Sequence, residues 1–281
     1  MAELVDAQAS GACDLMVVEV RVFSWAPKPF SFRKALSSVS AWLAAPATLK
    51  SVIKHIPCYG YLCCEIKGLV RMTNYLHQGD LPEGLDVGDA VAIDCETAGL
   101  HPARDRLCVI QLSAGNGDAH LVQFSRPVDG AAADYSAPRL KGLLADTGVE
   151  KIFHFGRFDI AVIQRDLGIL VSPVFCTKIA SKLVRTYTDR HGLRDLCNEL
   201  LGVSISKEQQ SSDWGAPELS DAQVGYAAND VLYLHKLRDV MTERLNREGR
   251  MDLARATFDF LPTRANLDLL GYEAVDIFAH S

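Results

Sequence analysis

Nothing in this 281-residue chain approaches the roughly 20 consecutive apolar residues that a membrane-crossing helix requires, so no membrane span is expected. There is no CxxC pair and no Cys/His set at zinc-ligand spacing. The eight cysteines therefore read as reduced thiols of a cytoplasmic protein, not as a disulfide framework or a zinc site. Internal repeats and low-complexity tracts are missing too. Basic charge is scarce where it would matter: residues 1–71 hold eight Lys/Arg against five Asp/Glu, a net of +3, while residues 72–281 hold 21 against 30, a net of −9. A domain of that charge has no general attraction for a long polyanion, because such binding draws on many phosphate neutralisations. The remainder is ordinary: 48% hydrophobic and 23% charged residues give a globular composition with ample core for one large domain or two small ones.

What is present is organised around Val91-Ala92-Ile93-Asp94-Cys95-Glu96-Thr97, a short β-branched apolar run ending in two carboxylates. On a strand, side chains alternate faces, so Asp94 and Glu96 point one way and Cys95 the other. Two neighbouring acids on a buried strand are costly unless a cation lies between them. Strands are expected at Ala90–Glu96, Leu107–Ser113 and His120–Phe124, and the short linkers between them indicate an antiparallel meander. A helix at Pro138–Asp146, a strand at Lys151–Phe155 and a helix at Arg157–Leu167 follow. Next come a short strand at Val174–Cys176 and helices near Lys178–Arg185 and Leu193–Leu201. This order makes an α/β domain with a mixed sheet. Ser220-Asp221-Ala222-Gln223 has the form of a capping box, which starts a long helix at Asp221. Tyr226 and Asp230 then share one face of that helix, one turn apart. The segment from Phe258 onward is mixed in character and too short for another domain.

Asp159 opens the helix after the fourth strand, so Asp94, Glu96, Asp159 and Asp230 place four carboxylates on three elements. Oxygen ligands of this kind suit hard divalent cations, Mg²⁺ or Mn²⁺. Two such ions can activate a water and stabilise the leaving oxygen of a phosphodiester. An unperturbed phenol has a pKa of about 10, so Tyr226 suits orienting a water better than deprotonating it unaided.

Asp94-x-Glu96, Phe158-Asp159 and Tyr226-x-x-x-Asp230 resemble the three motifs of the DEDD-type 3'-5' exonucleases, tyrosine subclass. Gly192-Leu193-x-x-Leu196 and Lys207 through Trp214 resemble the ribonuclease D branch. His77 through Pro82, Phe175-Cys176-Thr177-Lys178 and Asp276 through Ser281 resemble its single-domain nanoRNase C type. The resemblance covers about residues 75–281. It implies a ribonuclease H-like fold with a mixed five-stranded sheet flanked by helices, and two divalent ions held by Asp94, Glu96, Asp159 and Asp230, with Tyr226 catalytic. It implies hydrolysis of short RNA, diribonucleotides especially, by a homo-oligomer, either a dimer or an octameric ring. The broader ribonuclease D reading, a processing exonuclease on structured RNA 3' ends or on DNA, is the alternative. Phe155 departs from ribonuclease D, which usually has an Asn at that place.

For the substrate, the resemblance puts backbone groups at Thr97 and an apolar wedge at Leu100 against the terminal nucleotide. His154 and Phe155 are further candidate contacts, Phe155 as a surface on which a base could stack. Arg185, Arg190, His191, Arg194 and Lys207 form the densest basic cluster near the motifs, from which about two phosphate contacts are expected, with Arg190, His191 and Lys207 foremost. Trp214 reads as a packing anchor, and Cys95, Cys108, Cys176 and Cys197 as core. The opening from Met1 to Pro27 resembles the conceptual translation of a transfer-RNA gene. Residues 1–71 are therefore expected to be an unstructured extension, from an over-long gene model or, alternatively, a genuine targeting or regulatory segment, with the exonuclease domain occupying residues 72–281.

Overall fold

Strand β2, Ala90–Thr97, is the axis of the fold, with Val91, Ala92 and Ile93 fully buried ahead of its acids. A computed structural model describes residues 72–127, 131–206 and 208–280; the expectations for residues 1–71 and for Lys207 lie outside the described residues. β3, Leu107–Ser113, runs antiparallel to β2, and β4, Asp118–Gln123, antiparallel to β3. This is the meander that the short linkers imply. β5, Glu150–Phe153, and β6, Val174–Cys176, add in parallel on the other side of β2.

The sheet has six strands, not five, in the order β1-β4-β3-β2-β5-β6. The added strand, β1 at Thr73–Gln78, pairs in parallel with β4 at the sheet edge. Its sequence, TNYLHQ, is polar and mostly exposed, so no apolar alternation announces it. The backbone of β4 supplies its ladder. Gly79 then turns the chain at φ +76°, in the left-handed region that glycine tolerates, and Asp80 accepts hydrogen bonds from the backbone N–H groups of Arg139 (3.1 Å) and Leu140 (2.9 Å). That carboxylate caps helix α1, Pro138–Ala145, from a distant part of the chain.

Helix α2, Arg157–Leu167, has the predicted bounds and stops at Gly168 in a left-handed cap. α3 spans Thr177–Val184, and α4, Leu193–Leu196, runs on as a π-helical turn over Cys197–Leu201. α5, Asp221–Leu232, begins at the capping box: Ser220 Oγ accepts from Gln223 N, and the Gln223 side chain returns to Ser220 N. α6 is Leu234–Arg247 and α7 is Met251–Leu269, so the stretch beyond Phe258 begins as the second half of a helix. None of the helices among the described residues is long and apolar enough to cross a membrane.

α7 packs on α2, and an ion-pair cluster ties them together. Asp268, buried, is paired with Arg157 and with Arg264 (3.1 Å), and Arg157 Nη2 also donates to the Glu273 carbonyl at 2.9 Å. Removing one member of a buried pair strands the other, at a cost of about 3–5 kcal/mol. Arg157 keeps part of its solvent contact, so Asp268→Ala should lower the unfolding free energy by about 3 kcal/mol in urea denaturation. A loss below about 0.5 kcal/mol, ordinary for a surface substitution, would show the cluster to be ornamental.

Candidate active site

The site is built where β2 ends. Strand alternation puts Asp94 and Glu96 on one face of the sheet, half-buried, while Cys95 is buried on the other. α5 lies across β2 and β3 and delivers Asp230. Carboxylate oxygens of Asp94, Glu96 and Asp230 lie within 4.8 Å of one another, a spacing that a single cation could bridge. Asp159, in the first turn of α2 and almost fully buried, stands beside this trio: its Oδ1 accepts the Cys95 N–H at 3.0 Å. The structure thus brings all four acids together, three as a ligand set and the fourth bonded to the backbone between two of them.

Their electrostatics report the crowding. Burial, followed by the charges of Asp159, Asp230 and Glu96, pushes the Asp94 carboxyl well above its ordinary range. Burial and then Asp230 and Asp159 do the same to Glu96. Asp159 is raised by burial and by Asp230 against the opposing pull of backbone N–H donors. A divalent ion among these groups would oppose that upward push and favour their ionised forms. Half-buried all-oxygen donors that repel one another when ionised fit a hard divalent cation.

Tyr226 lies one turn before Asp230, with its hydroxyl within hydrogen-bonding reach of that carboxylate. Burial, then the charges of Asp230, Glu96 and Asp94, push the phenol upward, so it stays protonated and acts as a donor. Trp214 is 3% exposed and stands 6.0 Å from the Tyr226 ring, centroid to centroid. The packing anchor of its loop is therefore also the wall behind the tyrosine.

The expected substrate contacts divide. Thr97 is buried, its hydroxyl donating to the Gly99 carbonyl, while Leu100 on the following loop is 89% exposed and available as a wedge. Phe155 has φ +70°, a backbone state that bulky residues rarely adopt, and is 45% exposed with Lys178 Nζ 4.3 Å above its ring centre. Thr177 Oγ1 donates to the Phe153 carbonyl (3.1 Å), so it must accept from His154 Nδ1 (2.9 Å), which sets the histidine tautomer. Arg190 and His191 sit on the loop after α3: Arg190 pairs with Asp195 at 2.9 Å, and His191 Nδ1 bonds Ser181 Oγ at 2.8 Å. Arg185, counted in the sequence with the basic cluster, is wholly buried, bonded to Glu199, Ser181 Oγ and the Arg190 carbonyl. It holds the loop and is not offered to a phosphate.

One site residue escaped the sequence reading. Gln111 faces Asp94 across the β2–β3 ladder and donates to Asp94 Oδ2 at 2.7 Å. The signal was a single amide inside the otherwise apolar Leu107–Leu112 run.

Comparison with known proteins agrees with this geometry. Residues 77–246 match the family model of the 3'-5' exonuclease domain. The ribonuclease D of Acidiphilium cryptum is 35% identical over 162 residues, 58% of this chain and 39% of that protein. The chain thus spans about two fifths of the length of such curated relatives. Two solved structures of Brucella melitensis NrnC match over 75% of this chain and 100% of theirs: one bound to pGG, 57% identical with a TM-score of 0.70, and one with bound Mg²⁺, 56% identical with a TM-score of 0.69. With its acids and tyrosine gathered on one sheet face, and with matches that span most of the described residues, the chain belongs to the 3'-5' exonuclease family.

Proposed function

We propose that the protein is a metal-dependent 3'-5' exoribonuclease that hydrolyses short RNA, diribonucleotides above all, to 5'-mononucleotides. The observation that carries this reading is the trio Asp94, Glu96 and Asp230, with Asp159 and the Tyr226 hydroxyl beside it. Asp94, Glu96, Asp159 and Asp230 would hold two divalent ions, Mg²⁺ or Mn²⁺, which when bound acidify a water and neutralise charge developing on the phosphate. The protein's own part is positional. Tyr226 donates a hydrogen bond that orients the attacking water. Thr97 and Leu100 would steady the terminal nucleotide, and Phe155 would stack on a base. His154, Arg190, His191 and Lys207 complete the reading as candidate phosphate and ribose contacts. The structure of a 57% identical relative bound to pGG supports a short substrate.

In this reading the enzyme is cytoplasmic and homo-oligomeric, a dimer or a ring of dimers, as exposed Val275, Ile277 and Phe278 support; its mass in solution checks this. Substrate length separates this reading from ribonuclease D-like processing of long or structured ends. An enzyme for long RNA gains affinity from many phosphates and loses it steeply with salt. A domain of net −9 has few cations to offer. A 5'-phosphorylated dinucleotide should therefore be cleaved at least as efficiently as a heptamer, with an apparent affinity changing less than about threefold between low and physiological salt. Turnover of 5'-labelled RNAs of graded length decides it. A heptamer degraded much faster, with strong salt dependence, would leave the processing reading standing.

A further inference from the structure

We propose that Gln111 is a positioning residue of this site: its carboxamide holds Asp94 in the orientation in which that carboxylate takes up a divalent cation. The inference rests on the metal-dependent reading above and adds to it a residue outside the three motifs.

Gln111 is completely buried in β3 and lies directly opposite Asp94 in the antiparallel register, so both side chains leave the same face of the sheet. A carboxylate holding a cation is ionised and only accepts, which leaves one assignment for the amide in that state: Nε2 toward Asp94 Oδ2, at 2.7 Å. That assignment has a consequence on the other side of the group. Oε1 is then turned away, and it has no hydrogen-bond partner among the described residues although it is buried. Buried polar atoms without partners are uncommon and call for an explanation. A leucine at this buried position would strand no polar atom of its own. The amide is kept at the expense of its own acceptor, and what it secures is Asp94.

The residue type fits that task. A lysine or arginine would also grip Asp94, but its charge would compete with a cation among the acids. An aspartate or glutamate would add a further negative charge to groups already driven upward by burial and by one another's charge. Glutamine donates and adds no net charge. A carboxylate already held by one oxygen has less rotational freedom to lose on binding an ion, which is how outer-shell donors raise metal affinity.

The test is calorimetric titration of metal-free protein with Mn²⁺, without substrate, for the parent, Gln111→Leu and Gln111→Asn, alongside thermal melts in chelator. Gln111→Leu should weaken Mn²⁺ binding about 10- to 100-fold, the range of outer-shell substitutions, with metal-free melting at or above that of the parent. Gln111→Asn, one carbon too short to reach, should show the same weakening, and it stands in if the leucine variant does not fold. Raising Mn²⁺ to saturation should restore most of kcat in either variant. Parental Mn²⁺ affinity in both folded variants would overturn the inference and leave Gln111 a packing residue. A parent that binds no divalent ion at all would instead overturn the metal-dependent reading, and this inference with it.

Discussion

Asp94→Asn is expected to abolish hydrolysis, with turnover at saturating Mn²⁺ down by about 10³-fold or more, while the metal-free protein stays folded and at least as stable as the parent. The two halves of this result come from the same physics. Asp94 sits on the site-facing side of β2 with Glu96 and Asp230 within ligand distance, and its carboxyl is driven upward by burial and then by Asp159, Asp230 and Glu96. Its charge is useful only when a cation compensates it, and otherwise opposes folding. Asparagine keeps the size and can still accept from Gln111 Nε2, so the 2.7 Å bond has a substitute. The sign of the pH dependence follows. An acid raised above its unfolded value binds more protons in the native state than in the unfolded chain, so stability falls as pH rises between the two values. In chelator, the parent should therefore melt at progressively lower temperature from about pH 4.5, where unfolded carboxylates have largely ionised, to about 9, where Glu96 does. The variant, with one acid fewer, should show a shallower decline. Divalent metal should flatten the parent's slope. Turnover in Asp94→Asn within about tenfold of the parent would contradict a metal site at these residues.

How much of this was legible depends on whether the signal was local. The two acids on β2 were readable because strand alternation is a property of three consecutive residues. α2 has the bounds expected of it, and α5 starts at the capping box read in the sequence, which the structure forms with both of its bonds. β1 was not readable, because an edge strand that is polar on both faces owes its existence to the backbone of β4. Arg185 carries the same lesson with opposite sign. It was counted in the basic cluster near the motifs, yet Glu199, Ser181 and a carbonyl five residues on draw it fully inside. Gln111 was visible as a lone amide in an apolar run, but its purpose needed the register that sets it opposite Asp94. Phe155 at φ +70° belongs with these: the sequence shows an aromatic where ribonuclease D usually has an Asn, and only the backbone shows a conformation that Asn tolerates far better.

Tyr226→Phe should cost about 10²-fold in kcat, at the lower end of what a positioned proton donor or acceptor supplies, and leave Mn²⁺ affinity within about twofold of the parent. The ring does one job and the hydroxyl another. The ring packs against buried Trp214 at 6.0 Å, and phenylalanine preserves that contact, so folding and the placement of α5 should be unaffected. The hydroxyl is what the variant removes. It lies by Asp230, and burial followed by the charges of Asp230, Glu96 and Asp94 holds it protonated well into alkaline pH. A phenol in that state cannot serve as the general base; it can donate one hydrogen bond, to Asp230 in the metal-free protein and to the attacking water during turnover. Two consequences distinguish this from a structural role. KM for a dinucleotide should change far less than kcat, because orienting the water matters in the transition state more than in the bound ground state. The pH profile of the variant should also keep the parent's shape up to about pH 9, merely displaced downward, since no group titrating in that range has been lost. Calorimetric metal binding, kcat and KM measured on the same preparations decide it. Metal affinity collapsing in step with rate would make Tyr226 a support for Asp230, and a profile that lost its alkaline limb would make it the base after all.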